Sequence, residues 1–327
     1  MKIIIPIINT WIGDFIMTLP MFKNIEKNSN LQPILIFNKQ VYKDIFDFSY
    51  LKKDRFKVIF NQNVSNIKFW LDLRKQSNII ISSTVWLKPL FLWKSLFFKV
   101  YSKPLIWKNK FYTLWIKTFW IPKDHDVINN IKIIERFYQD YPQVKVETQI
   151  YQPKLKVWNI KKEKIIFIHP WFDGNSKIPR DWEVENWINL VKKLSEIKED
   201  YIIKIIIWPW WEEKFKSYYF DLEKELNNVK VIYKLKFREL ISELAKWEFL
   251  INTDSGIWHL AWALWLRTIT LFGPADERQT WVFSNNAVVM RAKWSKPCYS
   301  QGIWLSNCED NGGLKNISEE NVLDLLS

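Results

Sequence analysis

Residues 248–274, EFLINTDSGIWHLAWALWLRTITLFGP, set the strictest terms for the fold. The run 248–252 is short and apolar, which reads as a buried strand. Thr253, Asp254 and Ser255 then bring helix N-cap chemistry, and Gly256 lets the backbone come close to a ligand. The spacing predicts a helix over 259–266 and a second strand over 267–272. Strand, polar turn, helix and strand make a parallel α/β unit. At such a turn the free N–H groups of Ser255, Gly256 and Ile257 and the positive end of the helix dipole point at one spot. That spot suits a phosphate or diphosphate.

The same alternation runs through the chain, so the fold class is α/β with parallel sheets. Strands are expected at 2–8, 33–37, 56–60 and 78–82, with helices at 15–27, 41–48 and 64–74. Pro20 should kink or split the first of these helices. Residues 126–140 carry the apolar spacing of a surface helix. The polar stretch 141–163, with Pro142 and Pro153, holds the boundary between two domains, 1–155 and 156–327. A second series follows: strands at 164–169, 202–207 and 229–233, helices at 183–194, 212–226 and 237–246, a basic loop at 175–181, and a late strand at 287–291. Residues 298–313 read as an irregular loop, and 318–326 as a closing helix capped by Ser318. Two such domains put the C-terminal ends of their strands face to face across a cleft, where ligands of open α/β sheets bind.

Composition narrows the function classes. The net charge is +13, which suits nucleic acid, an acidic substrate or an anionic membrane surface, or reflects an AT-rich gene. No nucleic-acid module is visible. No GxGxxG follows the first strand, which argues against a Rossmann dehydrogenase. Cys298 and Cys308 are too few for a disulfide framework, and with no Cys or His nearby a zinc site is not expected. MKIIIPII does not read as a secretory leader, and no run of about 20 apolar residues lacks charge, so a cytoplasmic protein is expected. Residues 86–120 hold seven Lys, no acid and many aromatics. They read as amphipathic helices with solvated Lys, or as a patch that meets anionic lipid.

The chain has 21 Trp and 7 Gly, where roughly 23 Gly are usual for this length. Several Trp stand where a turn wants Gly: Trp11 before Ile12-Gly13-Asp14, Trp171 after His169-Pro170, and Trp208, Trp210 and Trp211 around Pro209. Some bacterial lineages read UGA as glycine. A translation that reads those codons as tryptophan gives this pattern. An indole at positive φ is strained, so the dihedrals at Trp11, Trp171 and Trp210 test the idea.

IGDFIMTLP at 12–20, FIHP at 167–170, RDWEVENW at 180–187, and TDSGIWHLAWAL with LFGP within 253–274 resemble glycosyltransferase family nine, the heptosyltransferases that use ADP-heptose to build lipopolysaccharide. DVINN near Asp126 and the Cys298 to Cys308 tail extend the likeness along almost the whole chain. The resemblance implies a GT-B fold of two Rossmann-like domains, acceptor on the first and nucleotide-sugar on the second. It implies an inverting transfer of a heptose-like sugar to a glycan or glycolipid, peripherally at the inner face of the cytoplasmic membrane. No metal and no further cofactor are expected, because a cationic side chain and the helix terminus can stabilise the leaving group.

Roles then follow residue by residue. Asp14 matches the family's base, with helix N-cap as the rival role. Arg180 stands where the family usually has Lys, against the diphosphate; Lys177 shares or takes over that role, and Ser176 offers a hydroxyl. Ser255, Gly256 and Ile257 offer amides. Asp254 orients the loop or meets a sugar hydroxyl. His259, one turn in from Ser255, bonds phosphate or Asp254, or is structural. Glu212 accepts ribose hydroxyls, with Glu213 as rival. The other function classes are a nucleotide-binding protein without turnover and, last, a nucleic-acid binder.

Overall fold

The computed structural model describes residues 1–83, 92–93, 95–102, 117–118, 124–158, 160–170, 180–208, 213–282, 284–300, 303–304 and 313–326. The chain divides into two compact units, Met1–Lys156 and Val157–Ser327.

The first unit holds β1 (Lys2–Ile7), α1 (Ile12–Ile16), α2 (Leu19–Lys27), β2 (Gln32–Phe37), α3 (Gln40–Phe48), β3 (Lys57–Phe60), α4 (Ile67–Arg74), β4 (Ile79–Ser82), β5 (Lys99–Ser102), β6 (Lys117–Thr118) and α5 (Asp126–Asp140). Its six strands lie in the order β3-β2-β1-β4-β5-β6, and every pair is parallel. In β1 and β2 the first residue is exposed and the next five are buried, the signature of strands covered on both faces. One face is sealed by aromatic rings in edge-on and tilted contact, Phe15, Phe22, Phe37, Tyr42, Phe46 and Phe56. The other packs Ile4, Ile34 and Ile80 against Trp70, Trp93 and Phe98.

The second unit holds β7 (Ile165–His169), α6 (Val184–Ile197), β8 (Ile202–Ile207), α7 (Glu213–Glu225), β9 (Val229–Tyr233), α8 (Phe237–Leu244), β10 (Phe249–Thr253), α9 (Gly256–Ala263), β11 (Arg267–Leu271), α10 (Glu277–Thr280), β12 (Ala287–Met290), a short hairpin of β13 (Tyr299–Ser300) and β14 (Ile303–Trp304), and α11 (Glu319–Leu323). The six-stranded sheet runs β12-β11-β10-β7-β8-β9, again all parallel. Its buried isoleucines and leucines pack against Trp182, Trp187, Tyr219 and the closing helix. Trp182 pins the C-terminal segment by donating Nε1–H to the Ile317 carbonyl at 2.9 Å.

Each sheet therefore follows the Rossmann order, with two strands stepping one way from the first and three the other. The direction reverses between β1 and β4 in one unit and between β7 and β10 in the other. In open α/β sheets such a reversal is where the loops after neighbouring strands part and ligands bind.

Several expectations change. Pro20 does split the first helix, sitting in the opening turn of α2 where its missing N–H costs nothing. But α1 starts at Ile12, so Asp14 lies inside its first turn and is not an N-cap; that position belongs to Trp11. The phosphate-turn helix starts at Gly256, three residues earlier than its apolar spacing suggests. Residues 298–313 are not wholly irregular, since β13 and β14 pair antiparallel. Within 86–120, β5 and β6 are sheet strands and not amphipathic helix, and Val100 and Tyr101 are fully buried. Residues 84–91, 94, 103–116 and 119–123 lie outside the described residues. Cys298 is disulfide-bonded and buried; the chain's only other cysteine, Cys308, lies outside the described residues. Trp11 is extended at φ −73°, so its backbone makes no demand for glycine. Trp171 and Trp210 are outside the described residues, but Trp265 and Trp294 take φ of 65° and 72°.

Candidate active site

The second unit gathers polar groups where its sheet reverses. β10 and β7 are neighbours with Asn252 opposite His169. Asn252, Thr253 and His169 are fully buried there, and Asp254, Ser255 and His259 nearly so. Buried polar groups must find partners, and most do. Thr270 Oγ1 donates to Asn252 Oδ1 at 2.9 Å, and Asn252 Nδ2 donates to the Thr253 carbonyl. The Asp254 N–H donates to the Leu271 carbonyl at 3.2 Å. That last bond is the final rung between β10 and β11, and α9 begins two residues on.

Ser255 is the N-cap of α9 in extended conformation, yet its side chain makes no capping bond. Its Oγ lies 3.3 Å from His169 Nδ1. The first N–H groups of a helix have no acceptor within it. In α9 these belong to Gly256 and Ile257, and the positive end of the helix dipole adds to them. Arg180 reaches the same place: Nη1 lies 3.3 Å from Asp254 Oδ2 and 3.4 Å from the Asp254 carbonyl. Arg180 Nε and Thr253 Oγ1 are buried without a hydrogen-bond partner among the described residues. His169 is held neutral, since burial pushes its pKa down to about 3. The turn thus carries a guanidinium, a neutral imidazole, a serine hydroxyl, amides and one carboxylate. It can take an anion with several oxygens.

Behind this turn, Arg291 at the end of β12 holds the loop after β11. Its guanidinium donates to the Gly273 and Ala275 carbonyls, each at 2.5 Å, and to Glu277 Oε2 at 2.6 Å. Cys298 N–H donates to the Pro274 carbonyl in the same loop at 3.0 Å.

In the first unit, Asp14 is half-buried in the first turn of α1, just past the C-terminal end of β1. Beside it Tyr42 donates its hydroxyl to the Thr10 carbonyl at 2.7 Å. Burial chiefly raises the Tyr42 pKa to about 12; the bond to Thr10 opposes this and the Asp14 charge adds to it. Asn9, at φ 49°, pairs its amide with that of Asn38 at 3.0 Å. The C-terminal end of α1 is fixed from the other side by Asn130 of α5, fully buried, whose Nδ2 donates to the Met17 carbonyl at 2.9 Å.

Of the residues expected to hold a donor, the structure brings together Arg180, Asp254, Ser255, Gly256 and Ile257. His259 lies in the same helix with its ring tilted against Trp258. Ser176, Lys177 and Glu212 lie outside the described residues. Glu213, the rival to Glu212, is bound at 2.7 Å to Lys216. His169, inside the FIHP run, is not among the residues expected from the sequence; its place opposite Asn252 on the neighbouring strand brings it to the turn. Among the described residues no helix is long and apolar enough to cross a membrane.

A family model, glycosyltransferase family 9 (heptosyltransferase), matches residues 108–307 of this chain. The lipopolysaccharide heptosyltransferase 1 of Pseudomonas aeruginosa is 22% identical over 160 residues, covering 49% of this chain and 42% of that enzyme. The match therefore spans less than half the length of that relative. Among solved structures, E. coli ADP-heptose lipopolysaccharide heptosyltransferase II has a TM-score of 0.71 at 17% identity, over 100% of this chain and 97% of that one. E. coli heptosyltransferase WaaC with ADP has a TM-score of 0.69 at 16% identity, over 100% and 99%. At such identities these structures speak to the fold, which is GT-B with two Rossmann-like domains. The family match covers well over half of the 327 residues, and the chain belongs to glycosyltransferase family 9.

Proposed function

We propose that this protein transfers a sugar from a nucleoside-diphosphate donor to a glycan or glycolipid, with inversion at the anomeric carbon. The second unit holds the donor and the first unit the acceptor. ADP-heptose is the donor to try first, because the similar solved structures include heptosyltransferase WaaC with ADP and an ADP-heptose heptosyltransferase. The observation that carries the reading is the approach of Arg180 to the N-terminal turn of α9, at the reversal point of its sheet.

In this reading the diphosphate oxygens accept hydrogen bonds from the Gly256 and Ile257 amides, the Ser255 hydroxyl and the Arg180 guanidinium. The acceptor hydroxyl oxygen attacks the anomeric carbon while the bond to the departing phosphate oxygen breaks. The leaving nucleoside diphosphate takes that electron pair, and Arg180 and the helix terminus stabilise the added charge. The acceptor's proton passes to the Asp14 carboxylate. The reading invokes no metal. It places the acceptor at the cytoplasmic face of a membrane.

Asp14→Asn tests the catalytic part. The variant is expected to bind ADP like the parent and to lose sugar transfer. Turnover retained in the variant removes Asp14 from the base role. ADP binding without any transfer by the parent, over a panel of nucleotide-sugars and acceptors, favours a non-catalytic nucleotide-binding protein.

A further inference from the structure

We propose that Asp254 acts through Arg180 as a positioning residue: it anchors one end of the guanidinium so that the Nε edge is presented to the diphosphate. The proposal rests on the reading that a diphosphate occupies the α9 turn. Guanidinium is a planar fork of five donors with two usable edges. Here the contacts to Asp254 all use Nη1, at 3.3 Å to the side chain and 3.4 Å to the backbone carbonyl. Nε, on the other edge, is buried and has no hydrogen-bond partner among the described residues. A buried donor without an acceptor is costly, and it persists where an arriving ligand supplies the acceptor. Oxyanions match the Nε/Nη2 edge in bidentate geometry.

The same pairing resolves an electrostatic objection. Asp254 is nearly buried and directly precedes the helix turn, where a bare carboxylate would repel a diphosphate. With its charge matched to Arg180, the carboxylate costs the ligand little. Its own backbone N–H is tied to Leu271, so the carboxylate stands on a fixed base and can hold the long arginine side chain still.

The test is titration calorimetry with ADP, which lacks a sugar and so does not report contacts to sugar hydroxyls. Asp254→Asn is expected to weaken ADP binding about tenfold, the loss of one charge-assisted hydrogen bond. Asp254→Glu should recover part of the affinity. Arg180→Lys should weaken binding as well, and adding Asp254→Asn to it should change affinity less than about twofold, because there is no fork left to orient. Unchanged or tighter ADP binding by Asp254→Asn, with the fold confirmed by its melting curve, overturns the proposal. So do additive losses in the double variant. A parent protein that binds no nucleoside diphosphate overturns the underlying functional reading instead, which separates the two failures.

A second inference rests on other residues. We infer that Trp265 and Trp294 stand at positions encoded by UGA and filled by glycine in the cell that owns the gene. Trp265 follows α9 at φ 65°. Its N–H donates to the Trp262 carbonyl at 2.9 Å, and the next N–H, of Leu266, donates to the Ala261 carbonyl at 3.0 Å. This is a Schellman motif with Trp265 at the left-handed C′ position, where glycine is the usual residue. Trp294, at φ 72° and 88% exposed, precedes Ser295, whose N–H donates to the Ala292 carbonyl at 3.1 Å. That makes Trp294 the third residue of a β-turn with positive φ, again a glycine position. Genuine glycine is used in this way nearby: Gly313, at φ 89°, leaves no room for a Cβ, which would lie 2.5 Å from Ser295 Cβ.

Reading the gene decides it, together with peptide masses from the protein isolated from its own organism. UGA at codons 265 and 294, with glycine masses in those peptides, is the expected result. UGG at these codons, or tryptophan masses, overturns the inference.

Discussion

His169 should make the second unit acid-sensitive within a defined window. It is fully buried at the end of β7, and burial lowers its pKa from 6.5 to about 3. The unfolded chain takes up a proton below pH 6.5, while the folded chain refuses it until about pH 3. Stability from this group is therefore complete above pH 6.5 and falls as pH drops through the interval. The slope is about 1.4 kcal/mol per pH unit once the unfolded histidine is protonated. Between pH 7 and pH 5 the integrated loss is about 2 kcal/mol. His169→Asn keeps a short polar group near Ser255 and removes the titration. Urea unfolding of parent and variant at pH 7, 6 and 5 isolates the effect, because His125 and His259 contribute equally to both proteins. The parent should lose about 2 kcal/mol more than the variant over that range. Parallel losses in the two proteins would show that the folded state accommodates a charged His169, and the account of a neutral imidazole beside Ser255 would be wrong.

Asn130→Leu removes the bond to the Met17 carbonyl and should cost about 1–3 kcal/mol; by loosening the helix of Asp14 it should lower transfer, while ADP affinity, which the proposed reading assigns to the second unit, stays constant. Trp265→Gly relieves about 1–2 kcal/mol of left-handed strain, offset by about 0.4–1 kcal/mol of added unfolded-state entropy. Thermal unfolding should show it no less stable than the parent, whereas Trp182→Gly, which empties a buried site and frees the Ile317 carbonyl, should lose about 3–5 kcal/mol.

Much of the fold was legible because a parallel sheet covered on both faces writes each strand as an uninterrupted apolar run. Lys2 to Ile7 and Ile165 to His169 are such runs. The strand-turn-helix unit at β10 and α9 was legible for a related reason: Asp-Ser-Gly stands between an apolar strand run and an apolar helix. Helix starts were less legible. α9 opens at Gly256, two residues after the last β10–β11 rung at Asp254, a boundary that local spacing does not reveal. Asp14 entered α1 for want of any polar N-cap side chain to mark the start at Ile12. The strands β5 and β6 were hidden by their composition, since Lys99 and Lys117 suggested a solvated face while Val100 and Tyr101 are buried. His169 escaped because a polar residue ending an apolar strand has no periodicity to expose its role. Only the strand order, which sets Asn252 beside it, brings it to Ser255.

The central claim is that the first-turn amides of α9 bind a diphosphate. Titrating nitrogen-15-labelled protein with ADP and following the backbone amide resonances tests it most directly. Saturable shifts at Gly256 and Ile257, absent when AMP replaces ADP at the same concentration, are the predicted result. ADP binding that leaves both amides unmoved would contradict the account.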